Sequence, residues 1–343
     1  MRQIKFATIG TSNITEQFIA GTKISGKLEH SAVYSRSEEK GKAFSQKYGN
    51  LPVYTSLEAL AESSVEAVYV ASPNKAHYEQ CKFLLERGKH IICEKSISAH
   101  PEQVEELQCI AQKNNLVFME AIMFMHLPAK KILSNALEKI GNIKFVNLNF
   151  CQRSSRYDAL MRGELPNIFN PECETGALLD LGVYCVYPAL YYFSTPDSLK
   201  AYSVKLATGV DGSGSITLEY KDKIVNLNYS KLCQGFAPSE FVGDEGCVTV
   251  GSISQLSDIR FYDKCGKESL LWTGEDKPHL MSHEASAFAD FITYPEQNKK
   301  YYGFCSELAL QVSQVMYKVR TQSGVLYPSD GFSGLPPRTP PSL

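Results

Sequence analysis

Apolar residues come in short runs over roughly the first 120 positions, and stretches of helical spacing separate them. Ile4–Ile9 is a β-rich run that ends at Gly10, and helical spacing follows from Asn13 to Ile24. Ser31–Tyr34 is a second run, followed by a charged helix over Glu38–Tyr48. Glu66–Ala71 is a third strand, followed by an amphipathic stretch over Lys75–Arg87 and the strand His90–Cys93. Pro101 opens a helix to Asn114, and Leu116–Met119 is a fifth strand. Strand and helix alternating at this spacing predict parallel strands joined by crossover helices. Helices then cover both sheet faces, which is why the strands are almost wholly apolar.

The pattern changes near residue 140. Ile143–Arg153 alternates apolar and polar positions, and a loop rich in Pro, Asn and Glu follows. Thr175–Phe193 reads as a helix. From Leu199 to Trp272 the chain reads as successive strands, with turn signals at Asp211-Gly212, Lys221–Lys223, Asp244–Gly246 and Asp263-Lys264. These spacings suit the hairpins of an antiparallel sheet. Two helices, His279–Thr293 and Gly303–Gln322, close the globular part and can pack on either domain. The expected organisation is an α/β protein: an N-terminal domain over 1–120, a second domain over 121–330, and a Pro-rich, disordered tail over 331–343.

Composition narrows the function. The hydrophobic share of 43% suffices for a real core in 343 residues. The formal net charge of −2 leaves no basic field for a nucleic-acid backbone. The opening MRQIKFATIG has neither a signal-type apolar run nor a cleavage site, and no apolar stretch is long enough to span a bilayer. The ten cysteines are scattered and form no CxxC pair, so buried thiols in a reducing compartment are expected, with no metal site. The expectation is a cytoplasmic protein with neither a membrane nor a nucleic-acid partner.

The turn after the first strand, Gly10-Thr11-Ser12-Asn13-Ile14-Thr15, stands where a dinucleotide fingerprint would. Only Gly10 is a glycine, with Ser12 and Thr15 in the other two places. Small residues still permit close backbone approach, and the helix N-terminus offers free N–H groups to a pyrophosphate. The competing reading is a plain turn capped by Ser12 or Asn13. The second strand ends in Ser35 and Arg36, with Lys40 near, instead of the carboxylate that would accept ribose hydroxyls. A hydroxyl and a guanidinium suit a 2′-phosphate, so NADP is preferred over NAD.

More specific patterns follow. Ala71-Ser72-Pro73-Asn74-Lys75-Ala76-His77 and Glu94-Lys95-Ser96 resemble the "PNxxH" and "EKP" turns of the glucose-fructose oxidoreductase / inositol dehydrogenase / rhizopine catabolism (Gfo/Idh/MocA) family, with Ser96 in place of Pro. Glu120–Met123 with Pro128 resembles the family's "EAxM…P" segment, with Met125 where Arg is usual. Glu174–Tyr184 resembles its "GGGxLxDxGxH" helix, with Tyr184 in place of His as in the dihydrodiol dehydrogenase branch. Val242–Val248 resembles its "GxxG" turn. The resemblance implies a Rossmann domain plus a C-terminal α+β domain with a large open, mostly antiparallel sheet, often used to form dimers. A homodimer or homotetramer is therefore expected.

The resemblance also implies a site. Gly10, Thr11, Ser12, Asn13, Ile14, Ser35, Arg36, Lys40, Ser72, Pro73, Asn74, His77, Glu94 and Lys95 would meet NADP. Lys95, Tyr184 and Asp180 would be catalytic. Lys95 lies just past the carboxyl end of a parallel strand, where α/β sheets place ligands. Asp180 and Tyr184 are four apart on one helix face. A tyrosine with an ordinary pKa of ~10 needs a nearby cation to serve as a base, and Lys95 is the candidate. Arg153, Arg156 and Tyr157 are candidates for contact with a sugar, cyclic polyol or trans-dihydrodiol. A ketone or aldehyde reductase and a non-catalytic NADP-binding sensor are the alternative readings.

Overall fold

The structure is a computed structural model and describes residues 2–331. Nearly all of the Pro-rich tail, residues 332–343, lies outside the described residues. The chain forms two compact units: one runs to Leu127 and takes in Glu275–Leu310, and the other comprises Pro128–Gly274 and the described residues from Gln311 to Gly331.

The first unit holds strands β1 Ile4–Ile9, β2 Leu28–Tyr34, β3 Val53–Tyr54, β4 Ala67–Val70, β5 His90–Glu94 and β6 Phe118–Ala121. Helices α1 Asn13–Ser25, α2 Glu38–Gln46, α3 Leu57–Glu62, α4 His77–Leu85 and α5 Pro101–Lys113 connect them. The strands pair in parallel in the order β3-β2-β1-β4-β5-β6. That is the doubly wound order, with its reversal between β1 and β4, where such sheets bind dinucleotides. Ala7, Ile9, Val68, Val70, Ile91 and Cys93 bury the sheet's centre. Ser37 and Ser56 start α2 and α3 by accepting from Lys40 N and Ala59 N, at 3.3 and 3.2 Å.

The second unit holds helices α6 Ala129–Leu137, α7 Tyr157–Met161 and α8 Val183–Phe193. Its strands are β7 Ile143–Cys151, β8 Ser198–Lys205, β9 Asp211–Glu219, β10 Ile224–Ser230, β11 Ser239–Gly243, β12 Gly246–Ser252, β13 Ser257–Asp263 and β14 Glu268–Trp272. They form one sheet, β14-β13-β12-β11-β7-β10-β9-β8. Every neighbouring pair is antiparallel except β7 and β10, which run in parallel from Phe145↔Ile224 to Cys151↔Ser230. Val146, Leu148, Val225, Leu227, Ile216 and Leu218 fill the buried face. On the other face Asn226 and Asn228 donate to Asn147 and Asn149 at 3.3 and 3.0 Å. Thr217 and Ser215 donate in turn to Asn226 and Asn228, at 3.0 and 2.9 Å. This polar ladder accounts for the alternation read along β7.

The Asp211-Gly212 turn signal is corrected: these residues begin β9, and the reversal lies before them, where Leu206 N donates to Val210 O at 2.9 Å. Gly212 serves packing, since a Cβ there would lie 2.7 Å from Leu232 Cδ1. Asp211 is buried and bonds elsewhere, as described below. Of the two closing helices, α9 Lys277–Thr293 belongs to the first unit and packs against α1. The last helix, α10 Pro295–Gln322, gives its first part to the first unit and its last part to the second.

Candidate active site

In the first unit the candidate cofactor residues collect at the carboxyl ends of β1, β2, β4 and β5. Gly10 has φ +108°, a conformation that side chains rarely adopt, and a Cβ there would lie 2.4 Å from Ala71 O at the end of β4. Only glycine lets the two strand ends approach this closely. Ser12 occupies the N-cap position of α1, yet neither its side chain nor that of Asn13 caps the helix. The first N–H groups of α1 therefore stand beside the turn of Gly10 and Thr11 without a side-chain cap, with Ile14 in the first helical turn. This geometry fits a pyrophosphate better than it fits a self-contained capped turn.

At the end of β2, Ser35 Oγ accepts from Ser37 N at 3.3 Å. Arg36 and Lys40 are exposed, and neither side chain has an acidic partner among the described residues. Two cations and a hydroxyl beside the ribose end of a dinucleotide fit an added phosphate.

After β4, Pro73 and Asn74 lead through a short 3₁₀ turn into α4. Ser72 Oγ donates to Gln80 Oε1 at 2.7 Å. The His77 ring is buried between two carbonyls, Ser72 O at 2.7 Å from Nε2 and Ser96 O at 3.2 Å from Nδ1. Burial lowers its pKa, with Lys95 adding to the effect, although both carbonyls favour the charged ring. His77 thus staples the turn after β4 to the turn after β5, which carries Lys95.

The Glu94 carboxyl accepts from Tyr69 OH at 2.5 Å, and the Tyr69 ring stacks on Phe18 of α1 with centroids 4.0 Å apart. Burial pushes Glu94 up; the Tyr69 hydroxyl, Lys95 and Lys277 oppose the shift. Lys95 follows Glu94 directly, and the Lys95–Ser96 peptide is cis. Ile97 N donates to Glu120 Oε1 at 3.2 Å. Met125, in the place of the family's usual Arg, is buried, and its carbonyl accepts from Tyr301 OH.

Two residues on α9 escaped the sequence reading. Lys277 is largely buried and donates to Met123 Sδ at 3.1 Å; burial lowers its pKa, and Glu94 and Glu284 oppose that. Glu284 is fully buried, and neither carboxyl oxygen has a hydrogen-bond partner among the described residues. Burial pushes it well up, and Glu94 and Glu120 add to the shift. The Glu94-Lys95 turn is the only local signal that points to this charged group.

In the second unit the candidate catalytic residues lie on a π-helical turn, Leu178–Gly182, which runs straight into α8. Such turns recur at functional sites because they re-aim side chains within a helix. Leu178, Leu179, Leu181 and Val183 are buried, whereas Asp180 stays partly exposed. Asp180 pairs with Lys231, which follows β10. Tyr184 meets Phe150 edge to face at 5.5 Å. Asp211 holds the turn in place: its Oδ2 accepts from Leu178 N at 2.6 Å. Burial raises Asp211 to about 6; the Leu178 N–H and Lys231 moderate the rise. Tyr327 OH donates to Thr175 O at 2.7 Å, fastening the start of the turn from behind.

Arg153 makes a two-pronged, exposed ion pair with Asp158, at 2.6 and 3.1 Å, and its guanidinium lies 5.3 Å from the Tyr157 ring centroid. The Arg156 backbone N–H donates to Ser154 Oγ at 3.2 Å. Lys95 therefore belongs to the first unit, and Asp180, Tyr184, Arg153, Arg156 and Tyr157 to the second. Lys231 and Asp211 lie so far along the chain from Asp180 that no local motif could join them.

Comparison with known proteins identifies the family and the fold. Residues 4–122 match a family described as "Oxidoreductase family, NAD-binding Rossmann fold", and residues 129–249 match the "GFO/IDH/MocA C-terminal domain". The chain is 35% identical over 328 residues to scyllo-inositol 2-dehydrogenase (NADP(+)) of Bacillus subtilis, covering 95% of this chain and 99% of that protein. It is 30% identical over 226 residues to trans-1,2-dihydrobenzene-1,2-diol dehydrogenase of Xenopus tropicalis, covering 64% of this chain and 66% of that one. Among solved structures, a 3-ketoreductase of Actinomadura kijaniata with NADP has the same fold, with a TM-score of 0.80 at 22% identity over 94% of this chain and 98% of that one. Among the described residues, no helix is long and apolar enough to cross a membrane.

Proposed function

Because the chain belongs to the GFO/IDH/MocA oxidoreductase family, we propose that it is an NADP-dependent dehydrogenase acting on a hydroxyl of a cyclic polyol, sugar or trans-dihydrodiol. The observation that carries the cofactor choice is the end of β2: Ser35, Arg36 and Lys40 stand there, and neither cation has an acidic partner among the described residues. The two relatives named above, an inositol and a dihydrodiol dehydrogenase, support the substrate class. The same chemistry run in reverse would reduce a ketone or aldehyde.

When bound, the nicotinamide supplies the hydride acceptor or donor. The chain itself has to place the substrate and move one proton. In this reading Gly10–Ile14 hold the pyrophosphate, Ser72–Asn74 and Glu94 border the cofactor, and His77 keeps their turns in register. Tyr184 exchanges the hydroxyl proton. Lys95 supplies the positive charge that favours an alkoxide or phenolate over its neutral form. Asp180 accepts hydrogen bonds from substrate hydroxyls, and Arg153, Arg156 and Tyr157 border the substrate. Exposed Phe145, Tyr202, Val204 and Ile224 share the face of the polar ladder, which we read as the surface for self-association. Sedimentation showing a clean monomer at micromolar concentration would end that part.

Fluorescence titration with NADPH and NADH tests the cofactor. Tighter NADPH binding is expected, and Arg36→Ala should weaken NADPH by about tenfold while sparing NADH. Equal affinities for the two cofactors would refute the reading of β2. Tyr184→Phe should lower kcat by about 100-fold or more with NADPH binding nearly unchanged. An unchanged kcat would remove Tyr184 from the reaction. A cofactor-binding protein that turns over no polyol, sugar or diol would instead be a sensor, which needs neither Lys95 nor Tyr184.

A further inference from the structure

Helix α9 is pressed onto α1. A Cβ on Gly21 of α1 would stand 2.7 Å from Met281 C and 2.9 Å from Ser282 N, so the two backbones meet there. Farther along, Lys27 pairs with Asp290 at 2.7 Å. Glu284 lies on α9 between these two fixed points and is 1% exposed. Its carboxyl is held inside, and neither oxygen has a hydrogen-bond partner among the described residues.

Three carboxyls act on one another here: Glu94 from the end of β5, Glu120 from β6 and Glu284 from α9. Donors are shared among them unequally. Glu94 accepts from Tyr69 OH at 2.5 Å, and Glu120 accepts from Ile97 N at 3.2 Å. Lys277, about two turns before Glu284, gives its hydrogen bond to Met123 Sδ at 3.1 Å, a weak acceptor. Its charge reaches both Glu94 and Glu284. Neighbouring buried carboxyls cannot all ionise, and the proton stays on the one with the fewest donors. That one is Glu284. Burial, Glu94 and Glu120 hold it well above the usual carboxyl range, and Lys277 opposes them.

The other charged groups around α9 are engaged elsewhere. On α1, Glu16 pairs with Lys47, and Lys23 lies 5.5 Å from the Tyr48 ring centroid. His30 of β2 meets Thr8 Oγ1 at 3.2 Å. His126, in the turn Met123–His126, meets Phe291 and Tyr301 edge to face. On and before α9, His279 pairs with Asp276 and His283 with Glu275. Tyr302 of α10 bonds to the Phe118 backbone. Lys95 acts on the cluster through Glu94 and Lys277.

In the reading proposed above, the 2′-phosphate lies at the end of β2 and the pyrophosphate at the turn after β1. The nicotinamide then falls on the other side of the strand-order reversal, toward β4 and β5, where Glu94 and Lys95 stand. The ring carries a positive charge when oxidised and none when reduced. We infer that Glu284 is a proton store tied to that charge: it is neutral in the free protein and gives its proton to water when the oxidised ring arrives at the Glu94-Lys95 turn. The inference rests on the NADP-dependent reading and deepens it. The O–H bond breaks heterolytically, the electron pair stays on the carboxylate, and no oxidation state changes. Hydride transfer to the ring then removes the positive charge, and Glu284 takes a proton back. Glu284 acts through its charge alone, as a positioning residue.

The test is calorimetric titration of the wild type, Glu284→Gln and Lys277→Met with NADP⁺ and with NADPH, from about pH 6 to about pH 9. Buffers of different ionisation enthalpy count the protons released. Both cofactors carry the 2′-phosphate, so its own titration cancels in the ratio of their affinities. In the wild type NADP⁺ should release up to about one proton more than NADPH, and the ratio of NADP⁺ to NADPH affinity should rise by up to about tenfold per pH unit. Glu284→Gln should abolish both effects and leave NADPH affinity unchanged. Lys277→Met removes the cation that favours the carboxylate, so the release should move up by about one pH unit or more. Infrared difference spectra give a readout that needs no turnover. Wild type minus Glu284→Gln should show the C=O band of a protonated carboxyl at neutral pH, and NADP⁺ but not NADPH should remove it. Equal proton release with the two cofactors, or no such band, would overturn the inference. A wild type that binds neither cofactor would overturn the dinucleotide reading and the release with it, and the infrared band would still decide whether Glu284 is neutral.

Discussion

Glu284 in the first unit and Asp211 in the second are both shut away from water, and their surroundings treat them differently. Glu284 has no hydrogen-bond partner on either oxygen among the described residues, and its near neighbours Glu94 and Glu120 repel its charge, with Lys277 as the offset. Asp211 accepts from Leu178 N at 2.6 Å, and Lys231 stands close enough to favour its charge. Burial pushes both up, but Asp211 stops at about 6 while Glu284 is held well above its ordinary range. Burial alone does not decide the state of a carboxyl; the number of donors brought to it does.

The comparison breaks most visibly at Asp211. Asp211→Ala leaves the Leu178 N–H buried without an acceptor and loosens the turn that carries Asp180. A loss of about 1–3 kcal/mol in urea unfolding is expected, with a fall in turnover. Asp211→Asn keeps an acceptor for that N–H, so it should lose less than half as much. Equal losses in the two variants would mean that the negative charge, and not the hydrogen bond, holds the turn.

The smaller effect sharpens the pH side. A carboxyl whose pKa is raised by folding opposes stability above its unfolded pKa of about 4, and the opposition grows until pH reaches the folded value. The contribution of Asp211 should therefore decline from about pH 4 and level off near about 6. That of Glu284 should keep declining above that point. Glu284→Gln, compared with the wild type by urea unfolding at several pH values, should gain relative stability as pH rises, with little difference near about pH 4. A difference independent of pH would show that Glu284 is charged and satisfied in the folded protein.

Much of the first unit was legible because its signals are local. Ile4–Ile9 with Gly10, and His90–Glu94 with Lys95, announce strand and turn within a few residues. The two-residue β3 and the short α3 are too brief to leave a periodicity. In the second unit the alternation of β7 and most hairpin turns were readable. The Asp211-Gly212 pair misled, because its composition is that of a turn while its role is packing and anchorage. Helix α6, Ala129–Leu137, was hidden beside the stronger pattern around Pro128.

By itself the sequence determined the order of strands and helices, the doubly wound character of the first unit, and the placing of Gly10, Arg36, Lys95, Asp180 and Tyr184 on particular turns. Those properties depend on neighbours a few residues apart, through backbone sterics and hydrophobic period. Only the tertiary structure decided that Lys231 meets Asp180, that Asp211 braces the turn beneath it, and that Glu284 lies beside Glu94 and Lys277. Each of these joins residues separated by whole strands and helices. Their charges interact only because folding removes the water between them, and no pattern along the chain records that.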